Sequence, residues 1–187
     1  MAKLYFRYGA MGSSKTANAL MVRYNYLEKG KKVILLKPDI ENRDGADLIK
    51  SRIGLEVECS YVSTFLKEFL QNPYELDAII IDEAQFMSEK QVEDFAYIVD
   101  IFDIPVICYG LRTDFQSYTF PGSKRLLELA DKIEEIPTIC WCGKKAQMNA
   151  RLNNGKIVYQ GEQIKMGANE SYISLCRKHY KEGKLKK

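Results

Sequence analysis

The stretch that decides the fold is LYFRYGAMGSSKTANAL, residues 4–20. Its aromatic part, over residues 3–8, predicts a short buried strand that ends at Gly9. From Thr16 the apolar residues have helical spacing, and Gly30 provides a stop for the helix. The residues with this spacing are Leu20, Met21, Tyr24 and Leu27. A strand, a glycine-containing loop and a helix therefore follow one another directly.

The loop GAMGSSKT nearly matches the phosphate-binding pattern G-x-x-x-x-G-K-[ST]. Such a loop binds phosphate because successive backbone N–H groups and a helix N-terminus point at one anion, while the lysine adds positive charge. Ser14 stands where the pattern has its second glycine, which places a Cβ near the phosphates but removes neither charge nor backbone donor. We therefore predict a nucleotide phosphate site of eight residues. They are Gly9, Ala10, Met11, Gly12, Ser13, Ser14, Lys15 and Thr16.

Strands and helices alternate through the rest of the N-terminal part. Buried strands are predicted in KKVILLKP, LDAIIIDEAQF and IPVICYG, and helices over residues 63–70, capped by Ser63, and 88–102. Residues 39–60 are polar and give no clear prediction. The alternation over residues 1–136 predicts an α/β fold: a mostly parallel P-loop (RecA-like) sheet with helices on both faces.

Two carboxylates, Asp82 and Glu83, follow directly on a predicted buried strand. A phosphoryl-transfer site on such a sheet needs an acidic group at the C-terminal end of a neighbouring strand to orient hydrated Mg²⁺, and Asp82 is placed for this role. Glu83 is available to take a proton from an attacking hydroxyl or water. The alternative is an acidic pair that caps a helix. DEAQ also resembles a helicase motif, but helicases of that class need two similar α/β domains, and this chain has room for one.

The character of the sequence changes after residue 137, where turn glycines and alternating residues replace the strand–helix pattern. NNGK, residues 153–156, predicts a hairpin turn. We therefore divide the chain into a P-loop ATP-binding domain, residues 1–137, and a small second domain, residues 138–187. The second domain has thiols and the only imidazole, a set typical of structural Zn²⁺; the alternative is two buried thiols beside an unrelated Cys/His pair. The predicted zinc ligands are Cys140, Cys142, Cys176 and His179.

The composition of the 187 residues is that of a globular protein, with 46% hydrophobic and 28% charged residues. A formal net charge of +3 is too small to indicate nucleic-acid binding. No apolar run approaches the roughly 18 residues of a membrane span, and no signal pattern is visible, so we expect no membrane association and a cytoplasmic location. The basic tail KHYKEGKLKK is interpreted as a solvated C-terminus, and Cys59 and Cys108 as buried apolar residues.

Five motifs in order carry a family resemblance that spans nearly the whole chain: YGAMGSSKT, IIIDEAQF, IPVICYGLRTDFQ, TICWCGKKA and NESYISLCRKHY. Together they resemble the cytosolic, zinc-containing type of thymidine kinase. The resemblance implies an α/β nucleotide-binding domain with a zinc-containing lasso domain, and it implies ATP, thymidine, Mg²⁺ and structural Zn²⁺ as ligands. It also implies dTTP as feedback inhibitor and a homotetramer. Two features depart from the family pattern: Ser14, and a histidine in the zinc set where some members have four cysteines.

The resemblance also implies roles for single residues. Glu83 would be the catalytic base for the nucleoside 5′-hydroxyl. The segment between the two zinc pairs would form the lasso over the nucleoside, its backbone would read the base, and Arg43 and Arg112 would approach phosphates. The ATP and Mg²⁺ site would comprise Gly9 to Thr16 with Asp82, Glu83, Ala84 and Gln85. The substrate site would comprise Phe86, Leu111, Arg112, Phe115, Asn169 and Tyr172.

Two other functions are compatible with the phosphate loop. One is a P-loop ATPase that uses Glu83 to activate water. The other is a nucleotide sensor in which Ser14 has weakened catalysis. A zinc-tethered flap over a second small-molecule pocket favours the kinase, because an ATPase has no need for it.

Overall fold

The computed structural model describes residues 1–40, 47–164 and 171–186. The strands of these ranges are β1 Leu4–Tyr8, β2 Val33–Lys37, β3 Leu48–Lys50, β4 Glu56–Glu58, β5 Ser60–Tyr61, β6 Ala78–Ile81, β7 Val106–Gly110, β8 Lys132–Glu135, β9 Thr138–Ile139, β10 Lys145–Ala146, β11 Met148–Asn153, β12 Lys156–Val158 and β13 Ser171–Leu175. The helices are α1 Lys15–Glu28, α2 Val62–Gln71, α3 Glu89–Phe102, α4 Pro121–Leu129 and α5 Arg177–Lys181. A 3₁₀ turn covers Ala84–Phe86.

The central sheet has six strands in the order β5-β2-β6-β7-β1-β8, and every neighbouring pair is parallel. Parallel strands end at a common edge, so the residues that follow β1 and β6 lie at the same edge of the sheet. These are Gly9, at the start of the phosphate loop, and Asp82. The predicted α/β sheet is confirmed, and its topology places the two sequence motifs on one side of the molecule.

Both faces of this sheet are covered. Ile79 and Ile81 of β6 pack in one cluster with residues of α2, α3 and α4, whereas Ile80 packs on the other face with residues of α1. All three isoleucines are fully buried, and each such burial stabilises the fold by roughly 1.5–3 kcal/mol. The continuous apolar run of β6 is explained by this two-sided burial.

The predicted helices form, with two corrections of detail. In α3, Ser88 caps the helix and exchanges hydrogen bonds with Gln91. In α2 the predicted cap is wrong: Tyr61 occupies the N-cap position, and the N–H of Ser63 donates to the Asp39 carboxylate at 3.3 Å. In α1, of the four apolar residues whose spacing predicts the helix, Leu20 is buried, while Met21, Tyr24 and Leu27 are 56%, 64% and 42% exposed.

Several elements were not predicted, among them a hairpin, a helix and an edge strand of the N-terminal part. The hairpin β3–β4 lies in the polar segment that gave no prediction, and its residue Ile49 packs on the α1 side of the sheet. Helix α4 begins at Pro121, a favoured first residue. Strand β8 is an exposed edge strand of largely charged residues, so it lacks the apolar pattern by which strands are predicted.

The C-terminal part contains two small antiparallel sheets, β9–β10 and β12-β11-β13, around a separate cluster of buried residues. The predicted hairpin turn is confirmed: Asn154 and Gly155 join β11 to β12 with φ of 49° and 73°, as a type I′ turn requires. The interpretation of the tail as merely solvated is incomplete, because α5 extends into it and the Trp141 indole donates to the Lys184 carbonyl at 3.1 Å. Over the described ranges, every helix is too short or too polar to cross a bilayer.

Candidate active site

The phosphate loop connects β1 to α1 and turns sharply at two residues. Gly12 and Ser14 have φ of 74° and 62°, both in the left-handed region. The second glycine of the consensus pattern corresponds to Ser14, so a serine adopts here the backbone that glycine takes without a steric penalty. The loop begins with a 3.2 Å hydrogen bond from the Gly9 N–H to the Gly110 carbonyl of β7.

Lys15 is buried and folds back onto the loop. Its Nζ donates to the carbonyls of Gly9 and Ala10, both at 3.0 Å, and lies 3.4 Å from Ser13 Oγ. Burial lowers the pKa of Lys15, and the carboxylates of Glu83 and Asp82 partly offset this. The lysine thus contacts the loop carbonyls and interacts electrostatically with the acidic pair.

Asp82 is buried at the end of β6, with 3% of its surface exposed. Burial and the neighbouring Glu83 charge raise the pKa of Asp82 to about 7, against hydrogen bonds from the Thr16 hydroxyl and the Glu83 N–H and the charge of Lys15, which lower it. The carboxylate of Asp82 and the hydroxyl of Thr16 offer oxygen ligands of the kind that hard cations take.

Glu83 is held by its neighbours in a strained backbone conformation. Its φ is 51°, which is unfavourable for a residue with a side chain. The Gln85 side-chain amide donates to Glu83 Oε2 at 2.5 Å, and its oxygen accepts the N–H of Leu111 at 3.0 Å. Gly110 makes room for this arrangement, since a Cβ there would lie 2.7 Å from Gln85 Oε1. The side chain of Gln85 therefore fixes that of Glu83.

Of the predicted substrate residues, Phe115 and Tyr172 contact a common partner, Arg151, while Phe86, Leu111 and Arg112 make separate contacts. Phe115 is buried, and the Arg151 guanidinium lies 3.8 Å from its ring centroid and donates to the Tyr172 hydroxyl at 2.8 Å. The Phe86 ring packs edge-on against Phe120 with centroids 5.6 Å apart. The exposed Arg112 guanidinium lies over the Tyr8 ring, and Leu111 meets Gln85 through its backbone. Asn169 and Arg43 lie outside the described residues.

The four predicted metal ligands converge. Their ligand atoms all lie within 4.8 Å of one another. Nδ1 of His179 is 3.5 Å from Cys140 Sγ and 3.4 Å from Cys176 Sγ, and the sulfurs of Cys142 and Cys176 are 4.0 Å apart. These separations suit four ligands around one ion with metal–ligand bonds of about 2.0–2.3 Å. Although burial raises the pKa of Cys140, hydrogen bonds from the Cys142 and Cys176 amides and from His179 bring it down to about 6, which favours the thiolate that binds metal.

The sequence is similar to a known protein family over nearly its whole length. The family model described as thymidine kinase matches residues 2–180. The chain belongs to the thymidine kinase family. A thymidine kinase of Streptococcus pyogenes serotype M3 is 48% identical, with 96% of this chain and 97% of that protein covered. A thymidine kinase of Streptococcus agalactiae serotype Ia is likewise 48% identical over the same shares.

Solved structures give a more distant likeness. AMPPCP-bound DnaA from Aquifex aeolicus has 18% sequence identity and a TM-score of 0.44, and the match covers 72% of this chain and 40% of that one. The Pif1 helicase from Candida albicans has 13% identity and a TM-score of 0.41, with 36% of that chain covered.

Several residues at the site of this thymidine kinase family member were missed by the sequence analysis. Asn149 Oδ1 accepts the N–H of Met11 at 2.8 Å, and the Ser174 hydroxyl donates to the Met11 carbonyl. Arg151, besides its contacts with Phe115 and Tyr172, donates to the carbonyls of Glu162 and Gln163 at 2.8 and 3.1 Å. Asn149 and Ser174 give no sequence signal, because they lie on two different strands and are 138 and 163 residues from Met11.

Proposed function

We propose that the protein is an ATP-dependent thymidine kinase that transfers the γ-phosphoryl group of ATP to the 5′-hydroxyl of thymidine and yields dTMP. The observation that carries the proposal is the electrostatic interaction of Lys15 with Asp82 and Glu83 at one edge of the sheet. It brings the phosphate loop and two carboxylates to the same place. The family membership and the names of its 48% identical relatives support thymidine as the acceptor.

The proposed reaction uses Glu83 as general base. Its carboxylate takes the proton of the 5′-hydroxyl as the oxygen attacks the γ-phosphorus. A bond forms between the 5′ oxygen and this phosphorus, and the bond from the phosphorus to the β–γ bridging oxygen breaks, so ADP leaves. Lys15 and the N–H groups of Ser14 to Thr16, at the start of α1, stabilise the phosphate charge, and the fixed position of Glu83 orients the proton transfer. Ala84 and Gln85, which the resemblance places in the ATP site, lie next to this base.

Two metal ions complete the proposal. The oxygens of Thr16 and Asp82 would hold Mg²⁺, which supplies charge neutralisation of the ATP phosphates. A structural Zn²⁺ would be held by the Cys/His cluster, since three thiols and an imidazole Nδ1 already converge there. With four protein ligands the shell is full, so the zinc contributes stability and no chemistry.

The nucleoside side of the site is proposed to be lined by aromatic and apolar groups. Burial of Phe115 and its contact with Arg151 support a rigid, water-poor wall near Tyr172. The remaining residues implied by the family resemblance are Phe86, Leu111, Arg112 and Asn169.

Regulation, assembly and location are further parts of this proposal. We expect dTTP to inhibit by occupying the acceptor pocket, and the protein to be a cytoplasmic homotetramer. The exposed apolar row of α1, made of Met21, Tyr24 and Leu27, supports self-association, because an exposed apolar helix face is stabilised when another surface covers it.

The division near residue 137 is supported by the separate cluster of buried residues that includes Cys140 and Leu175.

A coupled ADP-release assay with a panel of nucleosides tests the proposal. We expect release that requires both thymidine and Mg²⁺ and that falls by about 10²–10⁴-fold in Glu83→Gln, because general-base catalysis contributes that much. Glu68→Gln, an exposed change on α2, is the matched control and should keep wild-type rates.

The same assay separates the rival functions. ADP release without any nucleoside would contradict the kinase proposal and indicate an ATPase. Binding of ATP and thymidine without release would indicate a sensor. Light scattering on the purified protein measures the number of subunits, and a monomer would refute the assembly.

A further inference from the structure

The two longer strands of the C-terminal part carry polar side chains at positions directly opposite one another. In the antiparallel pair β11–β13, Asn149 is opposite Ser174, and Arg151 is opposite Tyr172. Residues two apart in a strand point to the same face, so the two opposed pairs lie side by side at a spacing of about 7 Å. We call them the loop pair (Asn149 and Ser174) and the aromatic pair (Arg151 and Tyr172).

The loop pair holds the apex of the phosphate loop by both of its backbone groups. The N–H of Met11 donates to Asn149 Oδ1 at 2.8 Å, and the carbonyl of Met11 accepts from the Ser174 hydroxyl. The other end of the Asn149 amide donates to the Thr113 carbonyl at 2.8 Å. An N–H can only donate and a carbonyl can only accept, so these contacts fix the amide in one orientation. Asn149 is 4% exposed, which makes loss of either partner costly.

The aromatic pair holds the nucleoside side of the site. The Arg151 guanidinium stacks on Phe115 with 3.8 Å to the ring centroid and donates to the Tyr172 hydroxyl at 2.8 Å. Phe115 and Tyr172 are both proposed substrate residues. A ligand that moves either ring therefore displaces Arg151, whose strand neighbour Asn149 holds the phosphate loop.

We infer that the β11–β13 ladder couples the acceptor site to the donor site, with Asn149 and Ser174 as positioning residues for the phosphate loop. The inference rests on the proposed function. The paired strands transmit a displacement of Arg151 to Asn149, because backbone hydrogen bonds join β11 to β13. One opposed pair of residues therefore cannot move without the next pair. Binding of thymidine should strengthen binding of the ATP phosphates, and the reverse effect must be equal, since coupling between two ligands is reciprocal.

The coupling is measured as a ratio of dissociation constants. Calorimetry gives the Kd of thymidine alone and at saturating AMPPCP with Mg²⁺, and the Kd of AMPPCP with and without thymidine. For the wild-type protein we expect a ratio of about 5 or more, the same in both directions. In Asn149→Ala and in Ser174→Ala the ratio should fall to below about 2. Asn153→Ala, an exposed asparagine at the end of the same strand, is the matched control and should keep the wild-type ratio.

The ratio separates positioning from a structural role. If Asn149→Ala merely loosens the fold, thymidine binding weakens equally with and without AMPPCP, and the ratio does not change. Ser174→Ala removes one hydroxyl from a half-buried site and guards against a variant of Asn149 that does not fold. A wild-type ratio near 1, or a wild-type ratio in both variants, would overturn the inference while thymidine-dependent ADP release stands. A wild-type protein that binds no thymidine would overturn the proposed function itself.

Discussion

The side-chain amide of Gln85 joins the carboxylate of Glu83 to the backbone of Leu111. It donates to Glu83 Oε2 at 2.5 Å and accepts the Leu111 N–H at 3.0 Å, and it is 1% exposed. The bridge connects the end of β6 to the end of β7, so the proposed base is tied to the strand that precedes the proposed nucleoside residues. The left-handed backbone of Glu83 costs about 1–2 kcal/mol, and this bridge is one of the contacts that sustain it.

Gln85→Ala should lower kcat by about 100-fold with a small change in KM, because a catalytic group displaced by about 1 Å loses that much rate. Gly110→Ala should act in the same direction, since its Cβ would lie 2.7 Å from Gln85 Oε1. Steady-state kinetics measure both, and the exposed Gln71→Ala is the control. A rise in KM at unchanged kcat would show that Gln85 serves ground-state binding and does not position Glu83.

The features that depend on a local sequence pattern were predictable. The strand–loop–helix of the phosphate loop, the acidic pair after β6 and the NNGK turn each follow from residues close to one another in the chain. The helix α1 was predicted but not the face that it buries: the small residues Ala17 and Ala19 are buried, while Met21 and Tyr24 are exposed. A periodic apolar pattern marks a helix but does not say which side the sheet covers.

The contacts between distant parts of the site could not be predicted from local sequence patterns. Asn149 and Ser174 bind a loop more than 130 residues earlier in the chain, and their positions depend on how the C-terminal sheet packs against the central one. The metal ligands were predictable because they lie within 39 residues of one another, and because cysteine and histidine are rare residues whose clustering indicates a metal. Asn149 is recognisable as a functional candidate because its polar side chain is buried, and burial is known only once the fold is known.

Ser14→Gly should raise stability by up to about 1 kcal/mol, since a serine at φ 62° is strained and glycine is not. It should change ATP affinity or the rate of phosphoryl transfer and leave acceptor preference unaltered, because the residue lies in the phosphate loop. Ser14→Ala keeps the strain and removes only the hydroxyl, so the two variants separate backbone from side chain. Thermal unfolding and the nucleoside panel measure these effects. A change of preferred nucleoside in either variant would contradict the assignment of the loop.

Loss of one metal ligand should affect stability and nucleoside affinity more than chemistry. Tyr180, next to the ligand His179, donates from its hydroxyl to the Phe115 carbonyl at 2.5 Å, so the cluster supports a proposed substrate residue. Cys142→Ser should lower the zinc content from about one per chain, reduce the free energy of unfolding by roughly 3 kcal/mol or more and raise KM for thymidine. Metal analysis, unfolding and kinetics check this, with Cys59→Ser, which changes a thiol outside the cluster, as the control for zinc content. A fully stable Cys142→Ser protein with unchanged kinetics would refute the zinc site.

Asp82 makes stability depend on pH in a direction opposite to that of most carboxylates. Its pKa is about 7 in the folded protein against 3.8 as the ordinary value, so the folded state binds more protons between these limits. The free energy of unfolding contributed by this group therefore rises as pH falls from about 7 to about 4, and the full cost of the buried charge is present above pH 7.

Asp82→Asn removes that charge and keeps an oxygen that accepts hydrogen bonds. In EDTA at pH 8 the variant should be more stable than the wild type by on the order of 1–3 kcal/mol, and the difference should shrink toward pH 5, where the wild-type carboxyl is protonated when folded. Phosphoryl transfer should be nearly abolished, since the proposed Mg²⁺ ligand is gone. Denaturant unfolding at both pH values measures the effect, with the exposed Asp100→Asn as control. Equal stability of variant and wild type at pH 8 would show that the buried carboxylate carries no such cost.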